Sequence, residues 1–220
     1  PCALAQADCV RFALSAASKE QAGLPYSQNY LRDFEHHYAY DRYHDPGRGG
    51  ECADTRILCT GHNFVAVGDA HQAAYTDPER GFLSQFRHQV FLLGLIAHFH
   101  RAAMLMVSDR LMTIISRLDI NDIASVRDFR RDIRQTQEIF LRFTHRYWFS
   151  QVSEQPMAYD LFHMWSHNLS LNKLHADLRE ELQDMLNYLD SDMMRRQSTA
   201  IVRLTVVTVM SILGTVTTGV

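Results

Sequence analysis

Helix-breaking residues are scarce in the C-terminal part of this sequence, and charge is missing from its last stretch. No proline or glycine occurs between Pro156 and Gly214, and no ionisable side chain occurs from Leu204 to Val220. The scarcity of breakers predicts one helix from Met157 to Val220, roughly 64 residues or about 95 Å long. A helix of that length is far longer than a globular domain is wide. It therefore favours a stalk that continues into a membrane, with a coiled-coil structural protein as the alternative.

The sequence also lacks familiar catalytic motifs and an excess of positive charge. There is no glycine-rich phosphate loop, no GxSxG elbow and no HExxH pair, so we expect no enzyme and no bound cofactor. The net charge of −3, from 22 basic and 25 acidic residues, excludes the positive field that nucleic acid requires. We therefore expect no nucleic-acid partner.

Cysteine is confined to four positions in the first 60 residues, Cys2, Cys9, Cys52 and Cys59. Their spacing fits neither a zinc knuckle nor a disulfide framework, which predicts free cytosolic thiols. The sequence begins at Pro1 and shows no signal-peptide pattern, so we expect a fragment of a longer protein.

The remaining patterns predict an α+β fold that is mostly helical. Strand-like alternation occurs at Tyr38–Tyr43, and Arg56–Thr60 and Phe64–Gly68 form a predicted β-hairpin. Helical spacing of apolar residues follows over Phe82–Arg117 and Ile123–Phe149, and Pro156 suits the first turn of the next helix. We divide the chain into an N-terminal α/β part (1–81), a helical part (82–155), a stalk helix (156–203) and the start of a transmembrane helix (204–220).

The uncharged C-terminal run has cationic residues before it and a polar stripe within it. Arg195, Arg196 and Arg203 flank the run, so the positive-inside rule places the stalk in the cytoplasm. If the run is a helix, one of its faces carries mostly small residues, either glycine or residues with a hydroxyl group. Such a face suits a pore wall or close helix packing. The pore-facing candidates are Ile201, Thr205, Thr208, Ile212, Thr215 and Gly219. A buried helix or strand of a soluble protein is the alternative for this run.

Two groups of side chains are candidate metal ligands. Asp160, His163 and His167 share a predicted helix face at i, i+3 and i+7, as ligands of a divalent ion can, although surface polarity produces the same spacing. Asp177, Glu181 and Asp184 share another face and offer oxygen ligands of the kind that Mg²⁺ prefers. In a symmetric oligomer each acid would form a ring that attracts cations, whereas a solvated helix face is the simpler interpretation.

Three segments resemble the CorA family of divalent-metal transporters, particularly its bacterial branch related to zinc and magnesium carriers. The segments read RRQSTAIVRLTVVTVMSILGTVTTGV, NLSLNKLHADLREELQDMLNYLDSDM and TDPERGFLSQFRHQVFLLGLIAHFHRAAMLMVSDRL, and together with the chain between them they cover most of the sequence. The family's Gly-Met-Asn signature and second transmembrane helix are not in the sequence, and the resemblance implies that both follow Val220.

The resemblance implies a homopentamer in a bacterial inner membrane, with a cytoplasmic α/β domain, a funnel of stalk helices and a pore lined by the first transmembrane helix. The transported substrate would be Mg²⁺, Zn²⁺, Co²⁺ or Ni²⁺, which can also act as regulator. Two other functions stay open from the residues alone. One is a membrane-tethered helical structural or signalling module, and the other is a soluble metal-binding protein that uses Asp160, His163 and His167.

Overall fold

The computed structural model describes residues 6–15, 26–43 and 55–191, which are mostly helical around one small sheet. The chain forms two compact units, one of residues 1–105 with 147–175 and one of residues 106–146 with 176–220. The α+β, mostly helical fold class predicted from the sequence is thereby confirmed.

The first unit begins with two helices that pack on a three-stranded antiparallel sheet. Helix α1 spans Gln6–Ala13 and helix α2 spans Gln28–Tyr38, with the Ser27 hydroxyl capping α2 by accepting from the Tyr30 amide at 3.2 Å. Strands β1 (Ala39–Tyr40), β2 (Arg56–Cys59) and β3 (Phe64–Val67) follow, with Ala39 opposite Leu58 and Arg56 opposite Val67. The shared core contains Cys9, Val10, Ala13, Leu31, Phe34 and Leu58.

The predicted hairpin is confirmed, but the strand predicted at Tyr38–Tyr43 is wrong for most of its length. Tyr38 is the last residue of α2, only Ala39 and Tyr40 pair with β2, and Asp41–Tyr43 form a 3₁₀ turn. The alternating segment YAYDRY therefore contains the last residue of α2, the whole of β1 and the 3₁₀ turn. Two strand residues in register with β2 are enough to turn the chain onto the sheet edge.

The long helices largely follow their predicted ranges. Short helices α3 (Ala73–Thr76) and α4 (Phe82–Gln85) lead through a π-helical turn (Phe86–Val90) into α5 (Phe91–Ser116), and α6 spans Ile123–Arg146. Positions at helical spacing on α5, including Leu93, Ala97, Met104 and Leu111, are buried as predicted. Helix α6 ends three residues before the predicted Phe149.

The single helix predicted from Met157 is interrupted within the described residues. Helix α7 spans Pro156–Asn168, with the predicted proline in its first turn, and the next helix, α8, is described over residues 171–191. Between them Ser170 has a φ of 53°, which lies in the left-handed region and ends a right-handed helix. The stalk helix predicted for 156–203 therefore starts as two helices, and its part beyond residue 191 lies outside the described residues.

Candidate metal-binding residues and the α7–α8 groove

The first candidate ligand set lies on the polar face of α7. The opposite face buries Ala158, Leu161, Phe162 and Trp165, which fixes the orientation of the helix in the first unit. Asp160, His163 and His167 consequently point away from that core, as their spacing predicts.

Asp160 is committed to partners from the sheet edge. The Tyr40 hydroxyl donates to Asp160 Oδ2 at 3.0 Å, and Arg42 Nη1 donates to the same oxygen at 3.5 Å. Burial raises the pKa of Tyr40 to about 12, so its hydroxyl stays protonated and able to donate at neutral pH. Asp160 therefore anchors α7 to the residues around β1.

The two histidines of this set contact other rings. His163 lies edge-on to Tyr159 with ring centroids 5.4 Å apart, and the His167 ring lies 6.3 Å from that of His37. Within residues 6–15, 26–43 and 55–191, no group of three or more His, Cys, Asp or Glu side chains is arranged to hold a metal ion. Asp160, His163 and His167 thus share a helix face without forming a ligand set.

The acidic candidates lie on α8 in the second unit. Asp177 and Asp184 are exposed and Glu181 is partly buried, while Leu178 and Leu182 occupy the buried face of the helix. The three carboxylates form no metal-holding group in the described part of a single chain. Their predicted role as rings in an oligomer stays a prediction.

The predicted pore-facing residues, Ile201, Thr205, Thr208, Ile212, Thr215 and Gly219, lie outside the described residues. A different helix, Phe82–Ser116, is long and apolar enough to cross a bilayer, and 39% of its most apolar window is buried inside the protein. Core helices of soluble proteins share that length and composition. The sequence pattern predicts this segment only as part of the helical cytoplasmic region (82–155).

One side of α5 keeps its apolar residues exposed. Five large hydrophobic side chains within its first-unit part are about half accessible to solvent, namely Phe91, Leu92, Leu95, Phe99 and Leu105. Contiguous apolar surface of this kind is typical of contact with another helix or with lipid. The apolar spacing of the segment predicted only its buried side.

A groove at the junction of α7 and α8 was not predicted from the sequence. It has a volume of about 340 Å³ and is lined by His163, Ser166, His167, Ser170, Asn172 and Lys173. We call it the α7–α8 groove.

An adjoining cavity of about 100 Å³ shares His163, Ser166 and Asn172 with the groove and has an aromatic wall. His100 and Trp148 lie in that wall with ring centroids 4.9 Å apart, and Trp148 stacks on His175 at 4.6 Å. His100 is buried, and its Nε2 donates to the Tyr147 carbonyl at 2.7 Å. This hydrogen bond fixes the ring beside the cavity.

One sequence signal indicates the break that creates the groove. Leu169 and Leu171 are both buried, although residues two apart on a straight helix point about 200° away from each other. An apolar pair at this spacing, around a serine and after an asparagine, is therefore evidence against an uninterrupted helix.

Comparisons of the chain with models of protein families, with curated proteins and with solved structures find no match.

Proposed function

We propose that this chain is the cytoplasmic region and first membrane-spanning helix of a CorA-like transporter, which passes divalent cations through a homopentameric pore. The observation that carries the proposal is the run Leu204–Val220, which lacks ionisable residues, follows Arg195, Arg196 and Arg203, and as a helix would place Thr205, Thr208, Thr215 and Gly219 on one stripe. The transported ion would be Mg²⁺, Zn²⁺, Co²⁺ or Ni²⁺.

The thickness of the bilayer sets the length of a membrane-spanning helix. A membrane-spanning helix needs about 20 predominantly apolar residues, and threonine is accepted there because its hydroxyl can bond within the helix or to a neighbour. A stripe of hydroxyl-bearing and small residues must face another helix or water. Around a symmetry axis such stripes line a polar path in which hydroxyl and carbonyl dipoles can replace part of an ion's water shell.

The carboxylates of α8 give the proposal an entry route for cations. Asp177 and Asp184 are exposed, so they are available to solvent or to a neighbouring subunit. Repeated around a symmetric oligomer, each acid would form a ring of negative charge, which concentrates cations. Metal held between such rings would stabilise one conformation of the oligomer and thereby regulate conduction.

The direct experiment is cation flux in liposomes through the purified full-length transporter, of which this chain would be a part. With a Mg²⁺-sensitive dye inside the vesicles, we expect dye response when Mg²⁺ is added outside, and protein-free vesicles supply the control. Zn²⁺, Co²⁺ and Ni²⁺ are tested in the same vesicles with matching dyes. Protein that is inserted in the bilayer but passes none of the four ions contradicts the proposal.

A second candidate is a membrane-tethered helical structural or signalling module, favoured by the exposed apolar side of α5. The exposed Phe91, Leu95 and Phe99 suit contact with a partner helix or lipid. A protein that is extracted from membranes only by detergent but carries no cation flux would support this module over the transporter. The soluble metal-binding alternative loses support because Asp160 is engaged by Tyr40 and Arg42.

A further inference from the structure

Among the described residues, the α7–α8 groove is lined by polar side chains, and none of them is acidic. Its lining combines one ammonium group, two imidazoles, two hydroxyls and one carboxamide, from Lys173, His163, His167, Ser166, Ser170 and Asn172. Acidic residues outnumber basic ones in the chain as a whole, which has a net charge of −3. The described lining of the groove differs, because it contains a lysine and no carboxylate. Such a lining favours an anion over a cation.

Within the described ranges, the side chains of the groove form no hydrogen bond or ion pair with other residues. Ser166, Ser170, Asn172 and Lys173 form no side-chain hydrogen bond or ion pair within the described ranges, and the two imidazoles make ring contacts there. The nearest acid along α7, Asp160, is held by Tyr40 and Arg42. The donors of the groove are therefore available to a ligand.

The chemistry of these donors selects an oxyanion. Lysine donates three hydrogen bonds, each imidazole carries at least one N–H, and hydroxyl and carboxamide groups add further donors. Hydrogen bonds from a charged donor to phosphate oxygens are among the strongest in proteins, and lysine is a frequent phosphate ligand. Mg²⁺ and Ca²⁺ instead require carboxylate or carbonyl oxygens, and no carboxylate from the described part of the chain lines this groove.

The size of the groove indicates a ligand larger than the anionic group alone. Its volume of about 340 Å³ falls within the range of about 300–1,000 Å³ that is typical of small-molecule sites. The adjoining cavity adds about 100 Å³ beside Phe149 and Phe162, where the organic part of a ligand can lie.

We propose that the α7–α8 groove binds a phosphate monoester, with the phosphate at Lys173 and the histidines and the organic part toward the aromatic cavity. This site is independent of the proposed transport function, because none of its residues belongs to the proposed pore or to the acidic face of α8. The phosphate monoester can belong to a soluble metabolite or to a lipid headgroup, since both present the same dianion.

The first test is calorimetric titration of the purified full chain with glycerol 3-phosphate, which carries this group in soluble form. Lys173→Met should weaken binding about tenfold or more, because it removes the ammonium group that the described residues supply to the lining. The matched control is Arg179→Met, which removes one positive charge from an exposed site on the same helix and should change affinity less than about twofold. Circular dichroism checks that both variants keep their helices.

The second test replaces the soluble ester with vesicles of phosphatidic acid, a lipid with the same phosphate monoester, and uses phosphatidylglycerol vesicles as the diester control. Binding of glycerol 3-phosphate that depends on Lys173 identifies a soluble ligand. Binding of phosphatidic acid vesicles alone, with the same dependence, identifies a lipid headgroup. Absence of both, or equal losses for Lys173→Met and Arg179→Met, overturns the proposal. Flux measurements are unaffected by this result, so the two proposals fail separately.

Discussion

At the scale of single residues, the cysteines show how burial sets reactivity. Cys9 and Cys59 are free and buried, as predicted for thiols outside any disulfide framework, whereas Cys2 and Cys52 lie outside the described residues. Burial raises the pKa of the Cys59 thiol to about 12 and also raises the pKa of Cys9. Because the thiolate is the nucleophile, both side chains are chemically inert in the folded chain.

Alkylation measures this directly. Iodoacetamide at pH 8 should leave Cys9 and Cys59 unmodified in the native protein and modify both after unfolding in guanidinium chloride, as read by peptide mass mapping. The pH dependence has a defined sign. An unfolded thiol ionises near pH 8.5, while folded Cys59 stays protonated up to about pH 12. Its contribution to stability is therefore complete below about pH 8.5 and is lost as the pH rises from there towards 12. Rapid native labelling of Cys59 would refute its burial.

A second residue-scale prediction concerns the ion pair between α2 and β2. Arg56 Nη2 lies 3.1 Å from Glu35 Oε1, and both side chains are less than 20% exposed. Glu35→Gln should lower the free energy of unfolding by about 1–3 kcal/mol, because the mostly buried guanidinium loses its closer charged partner and keeps the Asp41 carboxylate at 4.0 Å.

The control for that variant is Asp128→Asn on α6. This change breaks the ion pair between Asp128 and Arg131, whose side chains are 50% and 68% exposed, respectively. It should lower the free energy of unfolding by less than about 1 kcal/mol. Urea titrations of both variants give the comparison. Equal losses of stability would show that Glu35 is no better shielded from water than Asp128.

At the scale of elements, the connection between β2 and β3 fixes α7 as well as the hairpin. Gly61 has a φ of 86°, and Asn168 at the end of α7 donates through Nδ2 to the Cys59 carbonyl at 2.7 Å. A Cβ atom added to Gly61 would approach the Asn168 Cβ to 3.3 Å. The loop thus combines a left-handed backbone with close approach of a helix.

We expect Gly61→Ala to lower the free energy of unfolding by about 1–2 kcal/mol, because alanine is strained at this φ. Asn168→Ala serves as the companion variant, since it removes the hydrogen bond to Cys59 without altering the backbone of the loop. Chemical denaturation followed by circular dichroism measures both. An unchanged stability of Gly61→Ala would mean that the loop relaxes to negative φ at no cost.

Several elements could be predicted from the sequence because their signals are local. The hairpin has two apolar runs around a glycine, α5 and α6 have sustained helical spacing, and Pro156 marks the start of α7. Helix α2 was missed because only Leu31 and Phe34 are buried on it, too few to set a visible period.

The break between α7 and α8 was missed for a different reason. Ser170 adopts a left-handed φ, although this conformation at a helix end is usually found at glycine. The burial of both Leu169 and Leu171 in the folded protein favours the break in the helix. The α7–α8 groove follows from that break, so it could not be predicted while the helix was assumed to be continuous. Asp160, His163 and His167 lie on one face of α7, as their spacing predicts, but the partners of Asp160 come from residues about 120 positions away.

At the scale of the whole molecule, two observations bear on membrane association. The helix Phe82–Ser116 has the length and composition to cross a bilayer, and the run Leu204–Val220 carries no ionisable residue. The transport proposal assigns the pore to the second of these segments and keeps the first in the cytoplasmic region. It therefore predicts that ion passage depends on the polar stripe.

The most direct measurement compares two threonine-to-leucine variants in the liposome flux assay. Thr208 lies on the predicted stripe, whereas Thr217 lies about 180° from it at 100° per residue. Both changes add the same bulk, so differences in general hydrophobicity cancel. We expect Thr208→Leu to reduce divalent-cation flux at least about tenfold, equivalent to about 1.4 kcal/mol, while Thr217→Leu conducts like the original protein. Equal flux through the two variants, with equal amounts of protein inserted, would contradict it.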